Sequence, residues 1–180
     1  MISLNRISKK LLLLQRNELL SKKQYWLRKR FGRLIFTNFL VNYFQIKDIE
    51  KCTEELFQRE IELIKNYLPE IAKNIMDIGC GLGIINIYLN KIYNNQSNFY
   101  LLDKNRIDKK IKYGFSSDYE SYNDLNETKN LLLNNGISSK SLHTVDVEKD
   151  IKIDSKIDLV ISLKSMGYHY PIDQYLYLFS

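Results

Sequence analysis

Residues 75–83, Ile-Met-Asp-Ile-Gly-Cys-Gly-Leu-Gly, decide the fold of this chain. The stretch begins as a short apolar run that is typical of a buried strand, and the apolar residues that follow it recur at helical spacing. Between the two, glycines stand at every second position. A backbone without side chains can turn sharply and let a ligand approach closely, and the start of the next helix offers unpaired N–H groups. The stretch therefore predicts a strand, a ligand-binding turn and a helix.

The spacing of the glycines separates this turn from two better-known nucleotide loops. The dinucleotide pattern GxGxxG would place its third glycine at position 84, which is Ile84. The Walker phosphate loop is excluded as well, because no Gly-Lys-Ser/Thr follows. What remains is an acid-x-Gly-x-Gly-x-Gly pattern that starts at Asp77.

Strands and helices alternate from residue 74 onward. Near-continuous apolar strands separated by helices predict a parallel sheet that is covered on both faces. The predicted strands are 74–78, 99–102, 141–145 and 157–163, and the predicted helices are 84–92, 124–134 and one that begins at Pro171.

The first 70 residues predict helices only. Residues 5–30 have an apolar stripe at helical spacing and end at Gly32, and residues 34–46 are apolar and aromatic. A further helix is predicted to open at Thr53, as a hydroxyl cap followed by acids, and to end at Pro69.

Charge and cysteine content narrow the class of protein. The net charge is +6, but residues 1–33 hold ten Lys or Arg and one Glu, whereas the remainder holds seventeen basic and twenty acidic residues. Cys52 and Cys80 are too far apart to suggest a disulfide framework or a zinc site. The longest early apolar run, residues 11–14, is too short for a signal-peptide core or a membrane span. A cytoplasmic protein is expected.

The acid-x-Gly-x-Gly-x-Gly pattern resembles the first motif of class I S-adenosylmethionine-dependent methyltransferases. In that family the loop wraps the methionine and ribose parts of the cofactor. The resemblance implies that S-adenosyl-L-methionine is the cofactor and that five residues of the loop bind it: Asp77, Gly79, Cys80, Gly81 and Gly83. The alternatives are a tight turn without a ligand and, for Cys80, a small spacer that is not a nucleophile.

Two further acids follow predicted strands. Asp103 ends the second strand, twenty residues past the last glycine, and ligands of open α/β sheets lie beyond such strand ends. The resemblance implies that it binds the ribose hydroxyls; a solvated strand-end Asp is the alternative. Asp146 follows the third strand and resembles the acid that contacts the adenine amino group. Glu148 and Asp150 compete for that role, and a plain acidic loop is equally compatible.

The segment after the fourth strand, residues 162–171, looks like that of an uncharacterised bacterial subgroup of these methyltransferases. Such enzymes place substrate-facing groups here, and the segment holds His169. The ordinary pKa of histidine, about 6.5, suits a catalytic general base. A packed or surface histidine is the alternative, and His143, inside the third strand, is expected to be structural.

The resemblance covers roughly residues 50–180 and implies a Rossmann-like domain behind an N-terminal extension, residues 1–49. A full class I sheet has seven strands ordered 3-2-1-4-5-7-6. Four strands can be counted, which implies the order 3-2-1-4 and leaves strand four as an exposed edge. Either the domain is C-terminally truncated, or the N-terminal helices or a partner chain cover this edge. No metal site is expected.

The predicted function is methyl transfer to an oxygen or nitrogen nucleophile of an unidentified substrate, most simply a small molecule. A catalytically inactive cofactor-binding remnant is the second hypothesis. The basic segment 1–33 raises two others, contact with nucleic acid or with a membrane surface. The Asn/Asp-Pro-Pro-Tyr/Phe and Pro-Cys motifs of DNA-base methyltransferases are absent from the sequence, which disfavours a nucleic-acid substrate.

Overall fold

The computed structural model describes residues 2–43, 49–108, 121–149 and 151–165. These residues form six α-helices and four β-strands, joined by turns and short 3-10 segments. The helices are α1 (Arg6–Gln15), α2 (Lys22–Phe31), α3 (Arg33–Tyr43), α4 (Ile49–Ile64), α5 (Ile84–Ile92) and α6 (Leu125–Asn134), and the strands are β1 (Asn74–Ile78), β2 (Asn98–Asp103), β3 (Leu142–Asp146) and β4 (Leu159–Ile161).

The four strands form one parallel sheet in the order β3-β2-β1-β4, which confirms the predicted order and the Rossmann-like α/β class. Asp103 at the end of β2 lies opposite Asp146 at the end of β3, and the glycine turn follows the neighbouring end of β1. The carboxyl ends of three strands therefore meet at one edge of the sheet, where ligands bind in open α/β folds.

Alternate residues of the strands enter two separate apolar clusters, as the pleat of a strand requires. Ile75 and Phe99 face the larger cluster, which also receives buried residues from α1, α3, α4, α5 and α6. Met76 and Leu102 face a smaller cluster, which the partly buried isoleucines of residues 151–157 cover.

Helix α1 belongs to the main core of the sheet domain. Leu11–Leu14 are at most 1% exposed, and the Asn5 side chain caps the helix by accepting from the Ile7 and Ser8 N–H groups. A second tie is a buried hydrogen bond from the Ser8 hydroxyl to Glu127 of α6. The division into an extension, residues 1–49, and a domain, residues 50–180, stays a prediction, but α1 packs with the sheet.

The predicted single helix over residues 5–30 is wrong, because the structure has two helices there. Arg16 leaves the helical conformation and turns its guanidinium to Glu60. A new helix then starts at a capping box, in which Ser21 and Gln24 each accept from the other's backbone N–H.

The predicted cap at Thr53 is also wrong. Helix α4 starts earlier, at Ile49, and Thr53 is fully buried inside it, where its hydroxyl donates to the Ile49 carbonyl at 2.6 Å. The helix ends at Ile64, before Pro69. The predicted helices 84–92 and 124–134 are confirmed, the second with Asp124 as its N-cap. The helix predicted from Pro171 lies outside the described residues, and no described helix is both long and apolar enough to cross a membrane.

The place of α1 in the core gives the first prediction. Leu12→Ala removes a side chain that is 1% exposed, and it should lower the free energy of unfolding by about 2–5 kcal/mol. Leu63→Ala is the matched control, because Leu63 is 75% exposed on α4 and should change stability by less than about 0.5 kcal/mol. Urea unfolding measures both. Equal effects of the two substitutions would contradict the packing of α1 in the core.

Candidate active site

The glycine turn after β1 is sterically closed to other residues. Gly79 and Gly81 have φ angles of +67° and +54°, in the region that side chains rarely adopt. A Cβ atom on Gly79 would lie 1.9 Å from the Ser165 hydroxyl, and one on Gly81 would lie 2.7 Å from Oε1 of Gln15. Gly79 is therefore required by conformation and by space, whereas Gly81 is required by conformation and faces the movable end of the Gln15 side chain.

The N–H groups of the turn bond to the protein itself. Those of Gly79 and Cys80 donate to the Leu102 carbonyl at 2.8 and 3.1 Å, and that of Gly81 donates to Oδ2 of Asp103 at 2.7 Å. In a phosphate-binding loop such groups converge on the anion instead. The turn is therefore held rigidly against β2 by hydrogen bonds, and a ligand can lie over its backbone. Its N–H groups do not form an anion-binding site.

Asp103 is held at the end of β2 by three donors. Besides Gly81, the Lys104 N–H donates to Oδ1 at 2.7 Å and the Asn123 amide donates to Oδ2 at 3.1 Å. Burial nevertheless raises the pKa of Asp103 to about 6, and these hydrogen bonds limit the rise.

Asp77 is the second acid of the site and is almost completely buried. Its Oδ2 accepts from the Asn86 amide of α5 at 2.7 Å, which ties the end of β1 to the start of the helix. Burial raises the pKa of Asp77 to about 7, and the neighbouring Asp103 carboxylate adds to the rise.

Gln15, the last residue of α1, is a site residue that the sequence did not reveal. Its Oε1 accepts from the Leu82 N–H at 3.3 Å, and its Nε2 donates to the Tyr122 carbonyl at 2.8 Å. Asn123, which the sequence did not reveal either, donates to the Gly81 carbonyl at 2.9 Å. Both contacts arise between residues more than forty positions apart, so no local pattern marks them.

Two cations at the edge of the site, Arg16 and Lys164, already form ion pairs with acids of the protein. Arg16 pairs with Glu60 at 2.8 Å and lies 5.0 Å above the Phe57 ring. Lys164, which has a φ of +62°, pairs with Glu18 and lies 4.0 Å from Glu60. Burial, with a contribution from the nearby Arg16, lowers the pKa of Lys164.

These groups surround a cavity of about 180 Å³ beside the carboxyl ends of β1 and β2. The six residues predicted from the glycine pattern and the second strand all line it, namely Asp77, Gly79, Cys80, Gly81, Gly83 and Asp103. Leu12, Gln15 and Arg16 also line it, so α1 forms part of the wall.

The remaining predicted residues lie elsewhere. Asp146 does not line the cavity; it accepts from the Glu148 N–H at 3.2 Å and pairs with Lys149 at 3.4 Å. His143 is exposed and stacks on Tyr100, with ring centroids 4.8 Å apart. His169 and Asp150 lie outside the described residues.

The Cys80 thiol fits the interpretation of a small spacer that is not a nucleophile. Burial raises its pKa well above the usual value, with further contributions from Asp103 and Asp77, so the reactive thiolate is disfavoured. Among the described residues, no group of three or more His, Cys, Asp or Glu side chains has the arrangement of a metal site.

Comparison with known proteins returned no match: no protein-family model, no curated protein and no solved structure matches the chain.

The buried acids predict an unusual pH dependence of stability. Between about pH 4 and pH 7, native Asp77 keeps a proton that the unfolded chain releases, so stability falls as the pH rises through this window. The contribution is complete below the unfolded pKa and is lost above about pH 7, and its size is on the order of 3–4 kcal/mol. Urea unfolding at a series of pH values measures it.

Asp77→Asn should remove the part of this fall that comes from Asp77 and raise stability at neutral pH, and it should leave the smaller part that comes from Asp103. The amide oxygen of the new side chain can accept from the Asn86 amide in place of the Asp77 carboxylate, and Asn86 then keeps its second hydrogen bond, to the Gly83 carbonyl at 3.1 Å. Asp154→Asn, at an exposed position, is the control and should leave the profile unchanged. A profile that is identical in Asp77→Asn and the wild type would refute the assignment.

Proposed function

We propose that this chain binds S-adenosylmethionine at the glycine turn and transfers its methyl group to an oxygen or nitrogen nucleophile of a small molecule. The observation that carries the proposal is the joint position of the turn and Asp103. The Gly81 N–H donates a hydrogen bond to the Asp103 carboxylate. Gly81 and Asp103 line one cavity at the carboxyl ends of neighbouring parallel strands.

Asp103 fits the role of ribose acceptor. A carboxylate offers about four acceptor positions, and three donors from the protein reach this one. An acceptor position therefore remains for a ligand hydroxyl, and the existing hydrogen bonds fix the direction of the carboxylate.

The glycine turn fits the role of a backbone surface against which the cofactor lies. The Gly81 backbone is covered by the end of the Gln15 side chain alone, so a flat ligand can lie against it once Gln15 has moved. The internally paired N–H groups of the turn favour a cofactor whose contact is made through shape over one that presents a phosphate.

Gln15 must move for this ligand to bind. Small-molecule pockets usually enclose about 300–1,000 Å³, and the cavity encloses about 180 Å³. The Gln15 amide occupies the space directly above Gly81 and uses the Leu82 N–H. Its rotation away from the turn enlarges the cavity where the cofactor is proposed to lie.

When bound, S-adenosylmethionine supplies an activated methyl group on a sulfonium centre. The contribution of the chain is orientation, which is worth up to about 7–11 kcal/mol in well-aligned reactions. Asp103 and the turn would fix the cofactor, and the wall from α1 would exclude water. Deprotonation of the nucleophile by His169 stays a prediction, as does the adenine contact of Asp146.

A cytoplasmic location is part of this proposal, since Cys52 and Cys80 are both free thiols, as in a reducing compartment. A cofactor-binding protein without catalysis is the second candidate. The hydrogen bonds of Gln15 to the Leu82 N–H and the Tyr122 carbonyl favour this second candidate, because they close the site in this structure. Methyl transfer from labelled cofactor to an extract of small metabolites distinguishes the two.

Isothermal titration with S-adenosylmethionine tests the binding site. Gly81→Arg should abolish measurable binding, because the new side chain fills the cavity. Asp103→Ala should weaken binding by roughly 10- to 100-fold, the value of a hydrogen bond to a charged group. Wild-type protein that gives neither heat nor a thermal shift at millimolar cofactor would overturn the proposal.

Gly136→Arg is the matched control for the glycine substitution. Gly136 also has a positive φ, +92°, but a Cβ atom there would meet nothing within 4 Å. The control therefore introduces the same backbone strain and charge outside the cavity, and it should bind cofactor like the wild type. Loss of affinity in both variants would mean that the strain, and not the site, is responsible.

Gln15→Ala tests the closed state. Removal of the amide eliminates hydrogen bonds that a ligand must break, so affinity for S-adenosylmethionine should rise by roughly threefold to tenfold. Gln58→Ala, at an exposed position of α4, is the control. A loss of affinity in Gln15→Ala would show instead that Gln15 contacts the bound cofactor.

A further inference from the structure

Helices α2 and α3 present a surface that is basic, apolar and free of acids. No Asp or Glu occurs between Glu18 and Asp48, whereas α2 and the start of α3 carry six cations. Four of them are exposed along α2: Lys22, Lys23, Lys29 and Arg30. A fully solvated helix face usually mixes both signs of charge, so this segment is matched to an anionic partner.

The same two helices expose large apolar side chains. Ile35, Phe39 and Tyr43 recur every four residues along α3 and form one stripe, with Ile35 72% and Tyr43 76% exposed. The other side of α3, with Phe36 and Leu40, is buried. On α2, Trp26 is 64% exposed. These side chains take no part in the core, and α3 is held in place by its buried side.

We propose that α2 and α3 attach the protein to the surface of a bilayer that contains anionic phospholipids. The stripe of Ile35, Phe39 and Tyr43 would enter the headgroup–acyl boundary, and the cations of α2 would contact the anionic headgroups. The proposed attachment is peripheral, with both helices lying on the surface of the bilayer. It does not depend on the proposed cofactor site.

The stripe of α3 and the Tyr25 ring favour a lipid surface over single-stranded RNA, whereas the exposed rings of Trp26 and Phe31 suit either partner. Base stacking needs free ring faces, but Lys29 lies 4.8 Å above the Tyr25 ring and Arg28 lies 5.7 Å from it. Phe39 and Tyr43 pack on each other, with ring centroids 5.2 Å apart and planes tilted by 38°. Ile35, at the N-terminal end of the stripe, cannot stack on a base. Insertion into lipid needs apolar area alone.

Trp26 provides the readout, because it is the only tryptophan of the chain. The full chain is titrated with vesicles of phosphatidylcholine alone and with vesicles that also contain phosphatidylglycerol, without S-adenosylmethionine. The mixed vesicles should shift the Trp26 emission to the blue and sediment the protein, and added salt should weaken both effects. Vesicles of phosphatidylcholine alone should do neither.

Two variants separate the apolar and the electrostatic parts. Ile35→Asp should weaken binding to the mixed vesicles by about tenfold or more. The combined change of Lys22, Lys23, Lys29 and Arg30 to Gln should weaken it by roughly several hundredfold, since each surface cation contributes about a fivefold factor. The matched controls are Leu63→Asp, at a position that is 75% exposed on α4, and the combined change of Lys51, Lys73, Lys91 and Lys140 to Gln, all at exposed positions. Circular dichroism establishes that every variant is folded, and the controls should bind like the wild type.

The proposal is overturned if the mixed vesicles leave the Trp26 emission unchanged at low salt, or if the controls lose as much affinity as the variants. It is also overturned if a single-stranded RNA quenches Trp26 while vesicles do not, which would assign the surface to nucleic acid. A dimer in sedimentation that Ile35→Asp dissociates, without vesicle binding, would assign the stripe to a second copy of the chain.

Discussion

The hydrogen bond from the Gly81 N–H to the Asp103 carboxylate joins the two strand ends on which the site depends. It forms within a turn in which Gly79 and Gly81 both have a positive φ. The same turn directs the N–H groups of Gly79 and Cys80 to the Leu102 carbonyl. The backbone of the turn is thereby satisfied without a ligand, so its shape is set before any ligand arrives. The backbone of the turn therefore has little reorganisation to undergo on binding, and the movement that binding requires is that of the Gln15 side chain.

Helix α1 forms part of the cavity wall because of the way it packs in the core. Leu11–Leu14 fill the core above the sheet, and this packing carries Gln15 to the glycine turn and Arg16 to Glu60. The end of a core helix therefore forms the wall of the cavity. Because α1 is fixed by its leucines, access to the turn depends on the rotation of one side chain, Gln15, and does not require the helix to move.

The parts of this structure that could be predicted are those set by local sequence. The strand at 74–78 and the helix at 84–92 were predicted correctly because apolar runs and alternating glycines act over a few residues. The break at Arg16 and the interior position of Thr53 were missed because each depends on a partner or a helix start that periodicity does not encode. For the site, the glycines and Asp103 carry a pattern, whereas Gln15 reaches the cavity through packing alone.

The charges around the cavity select the kind of ligand that fits it. The cations Arg16 and Lys164 are engaged with Glu60 and Glu18, so they offer little attraction to an anion. Asp77 and Asp103, by contrast, are enclosed acids whose ionised forms are disfavoured by burial. A positively charged ligand beside them would stabilise both carboxylates, whereas a phosphate would be repelled by them. Arg33, which also lines the cavity, donates to the Leu14 carbonyl and lies over the Tyr122 ring. These charges and the internal pairing of the N–H groups of the turn support the proposed sulfonium cofactor over a dinucleotide. Charge and backbone geometry, which are independent properties of the site, thus favour the same class of ligand.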